Sequence, residues 1–151
     1  MEYRQADESD IAAMSALRAM EWGDEEYWSK RIVGYMRCEL NPQQALKARI
    51  MYIACQDDLV TGFIAGHLTR RYGCHGELEW INVNAAYRKT GIASKLLSIL
   101  GAWFVAQQAF RICVDADPEN VTARNFYIKH GAEELNKHWL VWNDISRVLH
   151  E

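Results

Sequence analysis

Apolar residues recur along the chain with two different periods, and the change between them separates predicted helices from predicted strands. Spacing of three and four residues predicts helices that begin after Asp7 and after Asp24, where acidic residues supply the N-cap and the first turn. The second helix should end before Pro42, because proline disfavours helical geometry in the preceding residue. From residue 50 the chain is rich in β-branched and aromatic residues, which is typical of strands.

The order of the predicted elements indicates a mixed α/β sheet. Strands are predicted at residues 3–6, 50–56, 59–68, 77–84, 110–116 and 134–143, and two later helices at residues 91–108 and 120–130. The order is β-α-α-β-β-β-α-β-α-β, in which hairpins give way to a crossover helix. The strand–helix–strand unit between residues 77 and 116 should be parallel and right-handed. Ligands of open α/β sheets bind near the carboxyl ends of such strands, so we expect the chemistry at the turn that follows Val83.

Composition narrows the class of protein. The chain has 151 residues and a formal net charge of −3, which fits one domain over residues 1–151 and indicates no nucleic-acid partner. We see no apolar stretch of membrane-spanning length and no secretion signal, so we expect a cytoplasmic protein without membrane contact. The four cysteines form no Cys-x-x-Cys pair and the histidines lack ligand spacing, so we expect neither disulfides nor a metal site.

The turn before the longest predicted helix has features that suit a phosphate ligand. The first amides of a helix lack internal partners, and the macrodipole adds partial positive charge there. Gly91 lets a ligand approach the backbone closely, and Ala93 keeps the first turn free of bulk. Together with Arg88 and Lys89, these residues predict a pyrophosphate cradle. The alternative is an ordinary basic turn that is capped by glycine.

A second motif lies one predicted strand further along the chain. It reads Asn-x-x-Ala-x-x-Phe-Tyr-x-x-x-Gly and comprises Asn120, Ala123, Phe126, Tyr127 and Gly131. Together with the Arg-x-x-Gly-x-Ala of the turn, it resembles the GNAT superfamily, the general-control-related N-acetyltransferases that use acetyl-CoA. The resemblance covers nearly the whole chain. It departs from the family pattern in Asn84-Ala85-Ala86, where proline is frequent, in Lys89-Thr90 and Ala93 of the loop, and in Ala132, where an aromatic residue is usual.

The resemblance implies a fold, a reaction and a cofactor site. The fold would be α/β and GNAT-like, with a mixed, mostly antiparallel central sheet that is flanked by helices and has room for an extra last strand. The reaction would move the acetyl group of acetyl-CoA to a primary amine of a small molecule or peptide, by direct attack in a ternary complex. The strand over residues 77–84 would splay at a bulge, with the Val83 amide as oxyanion donor. The residues that would bind the cofactor are Ile81, Asn82, Val83, Arg88, Lys89, Thr90, Gly91, Ile92, Ala93, Asn120 and Tyr127.

Candidates for acid–base chemistry follow from the resemblance and from strand geometry. Tyr127 matches the family position whose hydroxyl reaches the thioester sulfur, and a phenol that is protonated at neutral pH can donate to a thiolate. The alternative is an aromatic ring that packs beside Phe126. Glu77 and Glu79 are two residues apart on one strand, so they share a face and either is a candidate general base. Two solvent-facing carboxylates, or a base that acts through water, remain alternatives.

Aromatic residues concentrate where we expect the acceptor amine to bind, on the first two helices and the closing strand. Indole faces attract cations, although aromatic residues at helical spacing also build cores. The residues are Trp22, Tyr27, Trp28, Tyr35, Trp139 and Trp142. The alternatives to an enzyme are a non-catalytic CoA or acyl-CoA-binding regulatory module and a structural protein that binds a partner through the aromatic helices. A homodimer through the strand of Trp139 and Trp142 is a further hypothesis.

Overall fold

A seven-stranded sheet with helices on both faces makes up the fold of the computed structural model, which describes residues 1–150. The strands are β1 (Glu2–Gln5), β2 (Ala45–Gln56), β3 (Leu59–Thr69), β4 (Gly76–Val83), β5 (Ile112–Asp115), β6 (Glu133–Glu134) and β7 (Trp139–Trp142). The α-helices are α1 (Ile11–Ala19), α2 (Glu25–Met36), α3 (Ile92–Ala106) and α4 (Val121–Lys129). Their order in the chain confirms the predicted mixed α/β fold, including the extra last strand.

The strands lie in the order β1-β2-β3-β4-β5-β7-β6. The pair β4 and β5 is parallel, as predicted for the unit that crosses over through α3, and the other neighbouring pairs are antiparallel. Within residues 1–150, none of the helices has the length and apolar character that crossing a membrane requires.

Two apolar cores stabilise the opposite faces of the sheet. On one face α1 and α2 bury Met14, Trp28 and Ile32 against the strands. On the other face α3 and α4 bury a larger set that includes Leu96 and Tyr127. Burial of this apolar surface is the main favourable contribution to folding, and it fixes which face of each strand is available for chemistry.

The structure corrects the predicted ends of the sheet. The single strand predicted at residues 134–143 is wrong: the region forms β6 and β7 with a turn between them. The Asn136 carboxamide oxygen accepts hydrogen bonds from the backbone amides of His138 and Trp139, at 3.1 and 3.0 Å, and so stabilises the turn. Strand β2 begins at Ala45 instead of residue 50. Its first residues are mostly exposed and lack the alternation that would have revealed them.

A β-bulge in β4 determines which side chains reach each face. Ala65 pairs with Trp80 and Gly66 pairs with Leu78, so Glu79 is an extra residue in the ladder. The bulge changes the alternation: Leu78 lies in the core beneath α3, whereas Trp80 lies in the core beneath α2. The resemblance implied such a bulge in this strand, and the structure locates it at Glu79.

Candidate active site

Strands β4 and β5 separate part-way along their length and leave a gap. They pair over Gly76–Leu78 of β4, and the described chain provides no further partner for β4 on that edge. The Asn84 amide donates to the Thr61 carbonyl of β3 at 2.8 Å, so backbone alternation directs Asn82 to β3 and directs Ile81 and Val83 to the gap. Ile81 and Val83 therefore have the backbone orientation that the cofactor prediction requires.

Asn82 bonds to residues on and just after α1, and its predicted cofactor contact stays a prediction. Its side chain lies on the α1 face, where Oδ1 accepts a hydrogen bond from Arg18 at 3.0 Å and Nδ2 donates to Glu21 at 2.9 Å. The backbone of Asn82 is directed to β3 and not to the gap. Its side chain holds the side chains of Arg18 and Glu21 in place. Sequence analysis missed Arg18 and Glu21, because isolated charges on a helix carry no signal of a partner on a distant strand.

The N-terminus of α3 opens beside this gap. Gly91 is the N-cap with a left-handed φ of 88°, and among residues 1–150 no atom lies within 4 Å of the position of a Cβ at Gly91. Lys95 N donates to Gly91 O at 3.0 Å, which leaves the preceding amides of the first turn without helical partners. Arg88 and the Thr90 hydroxyl bond to backbone carbonyls of the same turn. The loop is thus held by its own side chains while the helix end stays open.

Helix α4 brings Tyr127 into the core next to β7. The Tyr127 ring lies 5.7 Å from the ring of Trp142, in edge-to-face geometry, and Phe126 packs at the same centroid distance on its other side. Burial raises the pKa of Tyr127 above its ordinary value, and Glu21 adds to that shift. The hydroxyl therefore stays protonated at neutral pH, which a proton donor requires. The predicted catalytic role stays a prediction.

Asn120 is the N-cap of α4, a position that asparagine favours. Its side-chain oxygen accepts a hydrogen bond from Ala123 N at 3.2 Å at the start of α4. Because the cap residue is exposed, the same side chain is accessible to a ligand. Cofactor binding by Asn120 remains a prediction.

We expect Asn120→Ala to lower the free energy of unfolding by about 1 kcal/mol, because α4 loses its cap. Asp24→Ala is the matched control, since Asp24 caps α2 by accepting from Tyr27 N at 2.8 Å. Thermal unfolding with and without acetyl-CoA separates the two roles of Asn120. A cofactor contact predicts a smaller acetyl-CoA shift in Asn120→Ala than in Asp24→Ala, and equal shifts would leave Asn120 as a cap only.

Glu77 and Glu79 lie on the face of β4 that α2 covers, together with His67 of β3. The ladder pairs His67 with Glu77, and these two side chains approach to 3.6 Å between Nε2 and Oε1. Arg71 Nε lies 3.5 Å from the same carboxylate oxygen. Glu77 is buried, whereas Glu79 at the bulge is half-buried. The two carboxylates are therefore not simply solvent-facing, which was one of the alternatives.

The electrostatics of this cluster favour proton exchange near neutral pH. Burial raises the pKa of Glu77 to about 7, and burial with the Glu77 charge raises the pKa of Glu79 to about 7. Burial also lowers the pKa of His67 to about 4, so this imidazole is neutral. A general base is most effective when its pKa lies near the working pH, so the carboxylate pair suits that role.

Sequence analysis considered His67 apart from the carboxylates because it lies on another strand. In the fold, one ligand-type atom from each of His67, Glu77 and Glu79 lies within 4.8 Å of the others. Such a separation suits groups that share a proton or a cation. Arg71 already brings a positive charge to Glu77. A proton that the three groups share is therefore repelled less than a bound metal cation would be. The prediction of no metal site stays a prediction.

Most of the aromatic cluster that we predicted for the acceptor pocket is structural. Four members are buried in the cores: Trp28, Tyr35, Trp139 and Trp142. Trp22 and Tyr27 remain exposed at the start of α2, with ring centroids 5.4 Å apart. Strand β7, which carries two of the buried residues, lies between β5 and β6 and offers no free edge for the hypothetical homodimer.

Comparison with known protein families agrees with this arrangement. The model of the acetyltransferase (GNAT) family matches residues 14–132. The chain belongs to the GNAT acetyltransferase family. This match includes β4, the open N-terminus of α3 and Tyr127, and it confirms the resemblance that the two motifs indicated.

Solved structures of other GNAT acetyltransferases have a similar fold. Aminoglycoside 6'-N-acetyltransferase AAC(6')-IG from Acinetobacter haemolyticus has a TM-score of 0.76 at 21% identity, over 91% of this chain and 94% of that one. Ribosomal-protein-alanine N-acetyltransferase from Brucella melitensis has a TM-score of 0.68 at 18% identity, over 93% and 95%. An aminoglycoside 6'-N-acetyltransferase complexed with coenzyme A has a TM-score of 0.68 at 19% identity, over 94% of each chain. A search of curated protein sequences gave no significant match.

Proposed function

We propose that this GNAT acetyltransferase moves the acetyl group of acetyl-CoA to a primary amine of a small molecule or peptide, by direct attack in a ternary complex. The observation that carries the proposal is the gap between β4 and β5, where Ile81 and Val83 pack against the core that contains Tyr127 and the first residue of α3. A structure of similar fold binds coenzyme A, which supports the choice of cofactor.

The cofactor contacts that we propose use backbone groups more than side chains. The diphosphate lies against the amides of Ile92 and Ala93, where the helix dipole is positive and Gly91 leaves room. Arg88, Lys89 and Thr90 complete this loop. The pantetheine arm follows the gap, along the backbone groups that β4 presents there, of which the Val83 carbonyl already accepts from Arg88 Nε at 3.4 Å.

The chemistry uses groups that meet at the gap. Glu79 accepts the amine proton, and the amine nitrogen attacks the carbonyl carbon of the thioester. A backbone amide of β4, from Val83 or Ile81, donates to the oxyanion that forms. When the carbon–sulfur bond breaks, Tyr127 donates its proton to the departing thiolate, and the second proton that the attacking nitrogen loses as the amide forms returns the Tyr127 phenolate to a phenol. We choose Glu79 over Glu77 as the base because Glu79 is half-buried and the acceptor can reach it.

The acceptor that this site favours is cationic. Glu21 and Glu79 provide negative charge, and the faces of Trp22 and Tyr27 are exposed at the start of α2. An ammonium group approaching along this path is attracted to both the carboxylates and the rings. The attraction ends when Glu79 takes the proton, because the amine is then neutral and nucleophilic.

The direct test is thermal unfolding with acetyl-CoA followed by thiol release across a panel of amines. Cofactor at a hundredfold excess over Kd should raise the free energy of unfolding by about 2.7 kcal/mol. Binding without thiol release for any amine would favour the alternative of a regulatory CoA-binding module. Absence of any thermal shift would contradict the whole proposal.

Gly91→Ala should reduce the acetyl-CoA affinity about tenfold, because the added methyl occupies the space in front of the helix end. Gly73→Ala is a matched control: Gly73 also has a left-handed φ, of 70°, and open space at its Cβ position. Both variants should lose about 1 kcal/mol of stability from backbone strain. Equal acetyl-CoA affinities in the two variants, measured by calorimetry, would remove the diphosphate from this loop.

A further inference from the structure

A buried chain of polar groups continues from the carboxylate pair away from the gap. The Tyr35 hydroxyl and His67 Nδ1 are 2.9 Å apart, and His67 Nε2 faces Glu77 Oε1 at 3.6 Å. Tyr35 is 1% exposed and His67 is 0% exposed, so solvent does not replace these contacts. The mechanism proposed above uses neither residue.

We propose that Tyr35 and His67 are positioning residues that hold Glu77 as a carboxylate, so that Glu79 is the group that takes the proton of the amine. This inference rests on the proposed function. The chain runs from the Tyr35 hydroxyl through His67 to Glu77, and the bulge places Glu79 beside its end. Acetyl transfer does not require Tyr35, His67 or Glu77 to release a proton.

The direction of the hydrogen bonds follows from the donors available. A neutral imidazole has one donor nitrogen and one acceptor nitrogen. If the Tyr35 hydroxyl donates to His67 Nδ1, then Nε2 carries the proton and points it towards Glu77 Oε1. Arg71 Nε lies 3.5 Å from the same oxygen but donates its hydrogen bond to the Gln43 carbonyl, so the guanidinium acts on Glu77 through its charge. A donor hydrogen of His67 and the charge of Arg71 that both face this oxygen favour its ionised form, whereas the other tautomer would set a lone pair of His67 against it.

Charged groups of both signs surround these polar residues, so a neutral donor changes the local charge less than an added cation would. The carboxylates of Glu77, Glu79 and Asp115 are opposed by guanidinium groups on α1, on β2 and just after β3. A neutral N–H from His67 stabilises Glu77 without disturbing this balance, whereas a divalent cation would add charge next to Arg71. The charged and titratable groups that face the cluster from the packed elements are Arg18, Arg49, Arg71, Cys74, Cys113 and Asp115.

The kinetic test compares variants that remove the donor with one that retains it. His67→Leu and Tyr35→Phe should move the acid limb of the kcat/KM profile to lower pH by roughly one pH unit, because Glu77 loses a contact that favours its charged form and its charge then raises the pKa of Glu79 less. His67→Gln retains an N–H at a similar distance from Glu77, so the acid limb of its profile should lie close to that of the wild type. KM for acetyl-CoA should not change. Tyr52→Phe on β2 and His75→Gln at an exposed position are controls that should keep the wild-type profile.

A second measurement does not depend on turnover. Nitrogen-15 NMR of the histidines should show His67 as the neutral Nε2–H tautomer from pH 5.5 to 8, and Tyr35→Phe should alter that tautomer. An Nδ1–H tautomer, protonation of His67 near the ordinary histidine pKa, or displacement of the Nε2 signal by added Zn²⁺ would overturn the proposal. An unshifted pH profile in Tyr35→Phe would also overturn it.

The two measurements distinguish failure of this inference from failure of the proposed function. If no amine in the panel releases thiol but His67 has the expected tautomer, the buried arrangement of Tyr35, His67 and Glu77 is supported and the proposed acetyl transfer fails. If turnover occurs but the tautomer or the profile is wrong, the transferase stands and the positioning role fails.

Discussion

Replacement of Tyr127 by phenylalanine is expected to lower kcat for acetyl transfer about 100-fold while KM for acetyl-CoA stays nearly constant. In the proposed mechanism the phenol donates its proton as the carbon–sulfur bond breaks, so the interaction is made in the transition state and contributes little to binding. Phenylalanine keeps the ring and hence the 5.7 Å packing against Trp142. Initial rates of thiol release with acetyl-CoA and one accepted amine provide the measurement.

The matched control for this variant is Tyr52→Phe, which removes a half-buried hydroxyl on β2, away from α4. It should keep the wild-type kcat. A thioester of a more acidic thiol needs less help in leaving, so the deficit of Tyr127→Phe should shrink with such a substrate. A wild-type rate in Tyr127→Phe would favour the alternative, in which the ring only packs beside Phe126.

The parts of the site that could be predicted from sequence are those formed by neighbouring residues. The turn at Gly91 and the cap at Asn120 each depend on a few consecutive positions, so the motif and the geometry coincide. The mixed sheet was predictable for a similar reason, because each strand has its own pattern and the crossover helix requires a parallel pair.

Contacts between distant segments could not be predicted in this way. His67 meets Glu77 through the register of the β3–β4 ladder, and that register depends on the bulge at Glu79. Arg18 meets Asn82 only because α1 packs across β4. Nothing local to these residues distinguishes them from ordinary strand or helix positions, so their roles become visible only with the fold.

The aromatic residues show a second limit to what the sequence pattern can predict. Helical spacing of Tyr27, Trp28 and Tyr35 fits a core and a binding surface equally well. The exposed fractions separate them: Tyr27 is 40% exposed, whereas Trp28 and Tyr35 are 2% and 1% exposed. Only the exposed part of the cluster is open to a ligand, and that part cannot be selected from the sequence pattern.

The two carboxylates of β4 should respond in opposite ways to neutralisation. Glu79→Gln should lower kcat/KM about 100-fold and remove the acid limb of its pH profile, because the base is lost. Glu77→Gln should retain activity within roughly tenfold, since Glu79 remains. Because the Glu77 charge raises the pKa of Glu79, its removal should move the acid limb to lower pH. Equal losses in both variants, with no movement of the limb, would contradict the assignment of Glu79 as the base.

The same pair should make the stability of the fold depend on pH. Both carboxyl groups have a pKa of about 7 in the folded chain, above the ordinary value for glutamate, so the folded state binds more protons than the unfolded state between these values. Their contribution to stability is therefore complete at low pH and is lost as the pH rises through about 7. His67, whose pKa is lowered to about 4, acts in the opposite sense only below its unfolded pKa, and Cys74, whose pKa is lowered to about 7, does so in the window above about pH 6.5, so in that window the glutamine variants isolate the carboxylates.

In that window the wild-type free energy of unfolding should fall by up to about 1.4 kcal/mol per pH unit for each proton released. Glu79→Gln and Glu77→Gln should each reduce this slope, because an amide has no charge to bury. Denaturant unfolding between pH 6.5 and 8 gives the measurement, with Glu26→Gln as a control at an exposed position of α2. A slope that is unchanged in both variants would mean that the buried pair ionises at an ordinary pH, and the case for a carboxylate that takes the amine proton near neutrality would fail with it.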